Sequence, residues 1–271
     1  MREKQLKNFY LNNGYVVVKK VLTKQDINFV KKFSIALLSD FQKFSKIKFL
    51  NYKSWSSTKF TKKMMTFRKN YREVFSFFYD AVQSNIYLKK IASKNIIIKN
   101  IERILDLSEK RISHSNAILR MDGPEDSRNT YDWHQERSYY PMNEKGNGVV
   151  VWIALININE KIGPLQAAIG SHKEGFLEPK IIKKKNFSTQ KKIPRSFIKK
   201  YQNRIKSIKI KAGDAIFMNM NTFHRSGNNV SNLFRLSIVS RYHDTSKGDF
   251  RAFADVGNYK YHNFTLSKIK P

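Results

Sequence analysis

The run Val149-Val150-Val151-Trp152-Ile153-Ala154-Leu155 constrains this chain most. It is rich in β-branched residues, which suit a packed pleated surface, so it reads as a strand. Other short segments resemble it: Ser113 to Arg120, Ile208 to Lys211, Ala215 to Met218 and Phe234 to Tyr242. Turn chemistry separates them, as in Gly123-Pro124-Glu125-Asp126 and Ala212-Gly213-Asp214. Short strands divided by turns, beginning near residue 112, predict a sandwich or barrel.

The N-terminal part is different. Phe9 to Val18 reads as a helix, an Asn-Asn-Gly turn and a strand. Thr23-Lys24-Gln25-Asp26 resembles a capping box, with Asp where Glu or Gln is usual. After it Ile27, Val30, Phe33, Leu37, Leu38, Phe41 and Phe44 follow helical spacing. A second helix is expected over residues 72–92, with Val74, Phe75, Phe78, Val82, Ile86 and Ile91 facing inward. Residues 46–71 show no clear period and read as an irregular connection. Residues 173–211 carry fourteen Lys or Arg against Glu174 and Glu178, and read as an exposed insertion between strands.

Composition excludes some chemistry. With no cysteine, disulfides, thiolate metal sites and cysteine nucleophiles are ruled out. There is no apolar segment at the N-terminus and no run of eighteen apolar residues, so a cytoplasmic protein without a membrane span is expected. The formal charge of +31 would attract acidic partners. The lysines are nevertheless spread along the chain without a nucleic-acid-binding motif, so no specific nucleic acid is expected. General over-use of Lys, Asn and Ile explains the charge more simply.

Chemistry enters at Trp133-His134-Gln135-Glu136. A histidine and a carboxylate two residues apart on a strand share one face. With a distant second histidine they form a facial triad, which leaves open positions on an octahedral Fe(II). An H-x-E tripeptide alone is weak. His134 read by itself fits a core histidine equally well, and His224 fits an exposed loop residue. Arg235, within an apolar strand, needs a carboxylate partner from a ligand or from the protein.

The order of these segments carries more than any one of them. His134-Gln135-Glu136, Val151 to Leu155, Gly163-Pro164-Leu165, Gly170-Ser171-His172-Lys173, Gly213-Asp214 and His224 to Arg235 occur in the order of the phytanoyl-CoA dioxygenase family, which the chain resembles from about residue 8 to 245. The resemblance implies a mainly β protein with flanking helices, built on a double-stranded β-helix or jelly roll. It implies one domain over 1–271: a helical part at 1–110, the core at 111–250 with a basic insertion near 173–207, and a tail at 251–271. It implies Fe(II), the cosubstrate 2-oxoglutarate and O2. His134, Glu136 and His224 would hold the metal. Arg235, eleven residues past His224, would pair with the far carboxylate of 2-oxoglutarate. Ser226 would join it, Trp152 would line that pocket, and Asn116 and Arg120 would also touch the cosubstrate.

One position departs from the family pattern, which has aspartate where this chain has Glu136. The longer acid still reaches a metal, and it does not vacate the site as halogenases do. Hydroxylation of an unactivated C–H bond, with release of succinate and CO2, is the implied activity. Arg137, Tyr139, Tyr140 and Arg241 are candidates to face a small substrate, one with acidic groups if the basic charge is functional. Two other readings stay open: a cupin-like metal isomerase or lyase without 2-oxoglutarate, and a non-catalytic basic binding protein. His114, His172, His243 and His262 are not expected to be ligands.

Overall fold

The computed structural model describes residues 3–42, 55–126, 130–143, 145–183, 189–254 and 260–261. Seven α-helices and twelve strands lie in the described residues. The β-branched run at Val149 to Leu155 forms β3 (Gly148–Ala154), and all seven residues of this strand are buried. It is central in a five-stranded antiparallel sheet of order β1-β8-β3-β10-β2, with β1 at Tyr15–Val18, β8 at Ala215–Asn219, β10 at Arg235–Asp244 and β2 at Ile112–Asp122. A second sheet, β7-β4-β9, sets β4 (Leu165–Ala168) between β7 (Ile205–Ile208) and β9 (His224–Arg225). The two sheets form the jelly-roll core.

Helices cover the larger sheet. The sequence reading holds for α1 (Glu3–Asn13), for the turn at Gly14 and for β1. It holds also for α2 (Lys24–Gln42), whose capping box forms: Thr23 N donates to Asp26 at 2.8 Å and Asp26 N donates to Thr23 Oγ1 at 3.1 Å. Ile27, Val30, Phe33 and Leu38 are buried and Leu37 and Phe41 partly so, while Phe44 lies outside the described residues.

The expected helix over 72–92 is two helices, α4 (Arg72–Ser84) and α5 (Ile86–Ala92). Asn85 breaks it, because its side chain accepts the Tyr87 N–H at 2.9 Å and starts a new helix. Ile86 is consequently exposed, not inward. Beyond it, α6 (Asn95–Leu105) buries Ile97, Ile101 and Ile104.

The connection expected to be irregular contains a helix, α3 (Thr58–Asn70), capped by Ser57, whose Oγ accepts from Phe60 N at 3.1 Å. Phe60, Thr61, Met64, Phe67 and Arg68 are its buried face, a helical pattern interrupted by a threonine and an arginine. Arg68 is there because it pairs with buried Asp126, and Thr61 Oγ1 accepts from Phe234 N at 3.2 Å. This helix therefore braces the start of β10, next to Arg235.

The basic insertion is also more ordered than expected. It contains the hairpin β5–β6 (Lys180–Ile182 with Gln190–Lys192) and α7 (Arg195–Lys200). Ile193 and Tyr201, with Phe197, Ile198 and Ile205, pack on Trp133, Ala168 and Phe223 as a second small core. Residues 184–188 lie outside the described part.

At the free edge of β2, Gln83 of α4 uses its amide as a substitute strand. Its Nε2 donates to Leu119 O at 3.2 Å and its Oε1 accepts from Leu119 N at 2.7 Å. No helix in the described residues is long and apolar enough to cross a membrane.

Candidate metal centre

His134 and His224 face each other across an isolated antiparallel bridge, exchanging backbone N–H···O bonds of 3.0 and 3.1 Å. That bridge brings residues ninety positions apart into register, with ring centroids 4.1 Å apart. The expected H-x-E strand is only this bridge; Glu136 already starts a short 3-10 turn (Glu136–Ser138). Because Gln135 is extended (φ −109°, ψ 136°), alternation still turns His134 and Glu136 to one side and Gln135 to the other. Gln135, wholly buried, fastens this segment: it donates to Gly175 O (2.6 Å) and Asn221 O (2.8 Å) and accepts from Leu177 N (2.8 Å).

One ligand atom from each of His134, Glu136 and His224 lies within 4.8 Å of the others, and all three residues are buried. The histidines are oriented alike. Nδ1 of His134 is 2.6 Å from Asp132 O, and Nδ1 of His224 is 2.9 Å from Thr222 O. A carbonyl partner makes each Nδ1 the donor, so each Nε2 presents its lone pair toward the shared space. Glu136 Oε2 lies 3.5 Å from His224 Nε2 and 3.9 Å from His134 Nε2. Burial would raise the Glu136 pKa, but Arg241 and the histidines hold it well below the usual carboxylate range. Burial, followed by the neighbouring His224, pushes His134 down to about 3, so the imidazole is neutral. Two neutral imidazoles and one anionic oxygen suit a divalent transition metal.

The three residues line a cavity of about 150 Å³ together with Trp152, Ser226, Arg120, Arg235, Tyr139, Tyr140 and Arg241. The structure thus gathers most of the residues singled out in the sequence. Two lie elsewhere. Arg137 is outside the cavity, with its guanidinium 4.2 Å from the Phe176 ring centroid, because the 3-10 turn rotates it away. Asn116 does not line this cavity but the neighbouring one, and bonds to Tyr140 and Arg241.

Three arginines of the cavity wall have protein partners. Arg241 pairs with Glu136 at 2.7 Å, so its charge is compensated and does not form a free positive wall. Arg235 turns its Nε and Nη2 onto Asp122 at 3.1 and 2.9 Å, and its Nη1 donates to the carbonyls of Gly163 and Gly227. Asp122 and the two carbonyls thus take four of the five guanidinium N–H groups, which leaves one on Nη2 and not the two-point fork that the sequence reading assigns to a cosubstrate carboxylate. Arg120 grips the same Asp122 through Nε (3.2 Å) and Nη2 (2.7 Å). Burial opposes ionisation of Asp122, yet the two arginines keep its pKa below the ordinary value. The close approach of Gly163 and Gly227 makes this cradle possible, since a Cβ on Gly227 would lie 2.3 Å from Pro164 O.

Asp122 and Arg225 were missed in the sequence. A signal for the first existed: Asp122 stands two residues after Arg120 on one strand, hence on the same face. Arg225 lines the cavity over the Trp133 ring, at 5.1 Å, and donates to Gln166 at 2.6 Å. Nothing in its local pattern marks it.

A larger cavity of about 670 Å³ shares Ile118, Arg120 and Tyr131 with the first. Tyr79, Gln83 and Ser84 of α4, Lys89 of α5 and residues 114–117 of β2 complete its wall.

The remaining described histidines have other surroundings. His172 Nε2 is 3.0 Å from Leu11 O, and His114 packs on Tyr242 with centroids 5.0 Å apart. His262 lies outside the described residues. His243 is buried on β10 with no hydrogen-bond partner at either ring nitrogen among the described residues. Burial, aided by Arg241, pushes it down to about 3. The unfolded chain takes up that proton near pH 6.5, whereas the native state resists until much lower pH. Stability is therefore complete above about pH 6.5 and falls with acidification at up to about 1.4 kcal/mol per pH unit for such a histidine. Melting temperatures of the metal-free protein are expected to fall between pH 7 and 5, less so in His243→Gln. Equal slopes for the two proteins would contradict this.

Comparison with solved structures supports the fold. The chain is similar to the non-heme alpha-ketoglutarate-dependent epimerase SnoN from nogalamycin biosynthesis (17% identity, TM-score 0.59, 89% of this chain and 82% of that one). It is similar also to EctD from S. alaskensis, solved with 2-oxoglutarate and 5-hydroxyectoine (14% identity, TM-score 0.60, 100% and 82%). The non-heme monooxygenase ThoJ, in a nickel complex, gives 14% identity and a TM-score of 0.58 over 88% of this chain and 77% of that one. No curated protein sequence matches significantly. The family model for phytanoyl-CoA dioxygenase (PhyH) matches residues 10–237, which span the bridged histidines, the acid and the arginine of β10; the chain belongs to the phytanoyl-CoA dioxygenase family.

Proposed function

We propose that this protein is an Fe(II)- and 2-oxoglutarate-dependent dioxygenase that hydroxylates an unactivated C–H bond of a small molecule, releasing succinate and CO2. One observation carries the reading: the His134-Glu136-His224 cluster lines the same cavity as Arg120 and Arg235, the two arginines that share Asp122. The first is a set of metal donors. The second, with Asp122, contains two guanidiniums and one carboxylate, a formal excess of one positive charge in a largely buried place. A bound carboxylate would balance it.

In this reading His134, Glu136 and His224 would hold the iron. Arg120 and Arg235, with the Ser226 hydroxyl, orient the far carboxylate of 2-oxoglutarate by charge-assisted hydrogen bonds. Trp152, Val239 and Leu165 exclude water around it. Iron with 2-oxoglutarate and O2 supplies the oxidant; the chain supplies position and dryness. The larger cavity admits the substrate, with Tyr131 and Arg120 on the shared wall. No carboxylate lines that cavity, and Lys89 has no ionic partner among the described residues, which supports an acidic group on the substrate.

Anaerobic titration of the metal-free protein with Fe(II) and then 2-oxoglutarate tests the reading. A saturable visible charge-transfer band is expected, with at least about tenfold weaker cosubstrate affinity in Arg235→Ala, since a charged hydrogen bond is worth about 1.5–3 kcal/mol. Iron binding without a band would reject 2-oxoglutarate and favour a cupin-type isomerase. Succinate release measured over matched acidic and amide-capped compounds then tests the acidic group; equal turnover would reject it. Because SnoN is described as an epimerase, stereochemical inversion is the second reading. Label from 18O2 in the substrate-derived product separates the two, since succinate is labelled in both cases and inversion inserts no oxygen into the substrate.

A further inference from the structure

Glu136 divides the work of its two oxygens. Oε1 accepts a hydrogen bond from Arg241 Nε at 2.8 Å and lies 2.7 Å from its Nη2 in an ion pair. Oε2 is the atom that faces the two histidine Nε2 atoms. Arg241 is itself held on its other sides. Its Nη1 donates to Asn116 Oδ1 at 3.3 Å, and its Cζ lies 4.5 Å from the centroid of the Tyr140 ring. Asn116 Nδ2 donates to Tyr140 Oη at 3.0 Å, closing a ring of three residues around the guanidinium.

The consequence concerns the number of metal positions. A carboxylate that binds through both oxygens occupies two of six positions on an octahedral metal; one that binds through a single oxygen occupies one. Two histidines and a one-oxygen carboxylate leave three open. A two-point cosubstrate then leaves a place for O2. If the carboxylate chelates, none is left. Glutamate has one more rotatable bond than aspartate, so it needs more outside restraint to keep one oxygen turned away.

We propose that Arg241 is the positioning residue that makes Glu136 a one-oxygen metal ligand, and that Asn116 and Tyr140 hold Arg241 in that pose. This rests on the iron and 2-oxoglutarate reading above. Arg241 touches neither substrate nor cosubstrate in this role; it acts through Glu136. Lysine replaces it only in part, because a single ammonium lacks the planar fork that fixes the carboxylate direction.

The test uses iron and 2-oxoglutarate binding, not turnover. Metal-free wild type, Arg241→Gln, Arg241→Lys and Asn116→Ala are titrated anaerobically with Fe(II), then saturated with iron and titrated with 2-oxoglutarate. Far-ultraviolet circular dichroism checks that each is folded. Iron affinity is expected to drop about 10–100-fold in Arg241→Gln, the usual effect of removing a residue that orients a ligand. At saturating iron, its 2-oxoglutarate band is expected to require at least about tenfold more cosubstrate, by the same loss of ligand orientation. Arg241→Lys should be intermediate, and Asn116→Ala should shift in the same direction by less. If Arg241→Gln does not fold, the other two variants carry the comparison. Wild-type binding of 2-oxoglutarate in iron-saturated Arg241→Gln, or in Arg241→Lys, overturns the proposal while leaving the functional reading intact. A wild type that binds no iron overturns both.

Discussion

Asp122→Ala is expected to lose about 3–5 kcal/mol of stability, because it leaves two largely buried guanidiniums without their shared carboxylate. Arg120 and Arg235 together direct four hydrogen bonds to this one side chain. In water each arginine would be fully solvated, so the fold tolerates them only while Asp122 balances them. Urea melts of the metal-free protein measure the loss directly. Asp122→Asn should be milder, since the amide oxygen still accepts while the charge is gone. A change below about 1 kcal/mol in the alanine variant, the ordinary range for surface substitutions, would show that water already satisfies both arginines.

Glu136→Ala is expected to do two things at once. It removes a metal donor, so iron binding should become undetectable, and it leaves Arg241 buried and unpaired, again at a cost of about 3–5 kcal/mol. The double variant Glu136→Ala/Arg241→Met separates the effects. With both charges gone, most of the stability should return while the metal site stays lost, because a buried pair exchanged for apolar groups is often neutral or better. Equal stability of the single and double variants would mean that the pair contributes nothing to folding.

Much of this architecture was legible in the sequence, for physical reasons that vary by element. β3 was plain because a strand packed on both faces needs a long apolar run, and β10 because Leu236, Ile238 and Val239 sit between turn residues and a polar end. The capping box at Thr23 was plain because it is a local hydrogen-bond pattern. The metal donors were found through the order of motifs; the bridge that joins them is too short to leave any periodic trace. What stayed hidden was set by long-range pairing. The buried Thr61 and Arg68 broke the apolar stripe of α3, and only the location of Phe234 and Asp126 explains them. The partners of Arg235 and Arg241 were hidden too. Sequence established that a buried arginine needs a carboxylate, and the fold supplies Asp122 for one and Glu136 for the other.

The amide of Gln83 has an effect beyond the architecture. β2 ends the larger sheet, and an open sheet edge is a template on which another chain can add a strand. By occupying both backbone groups of Leu119, Gln83 removes the pairing position at the middle of that edge. A formal charge of +31 adds mutual repulsion between copies. Crowded solutions of this protein should therefore resist edge-to-edge stacking at β2, and resist it less at high salt, where screening leaves Gln83 to act alone.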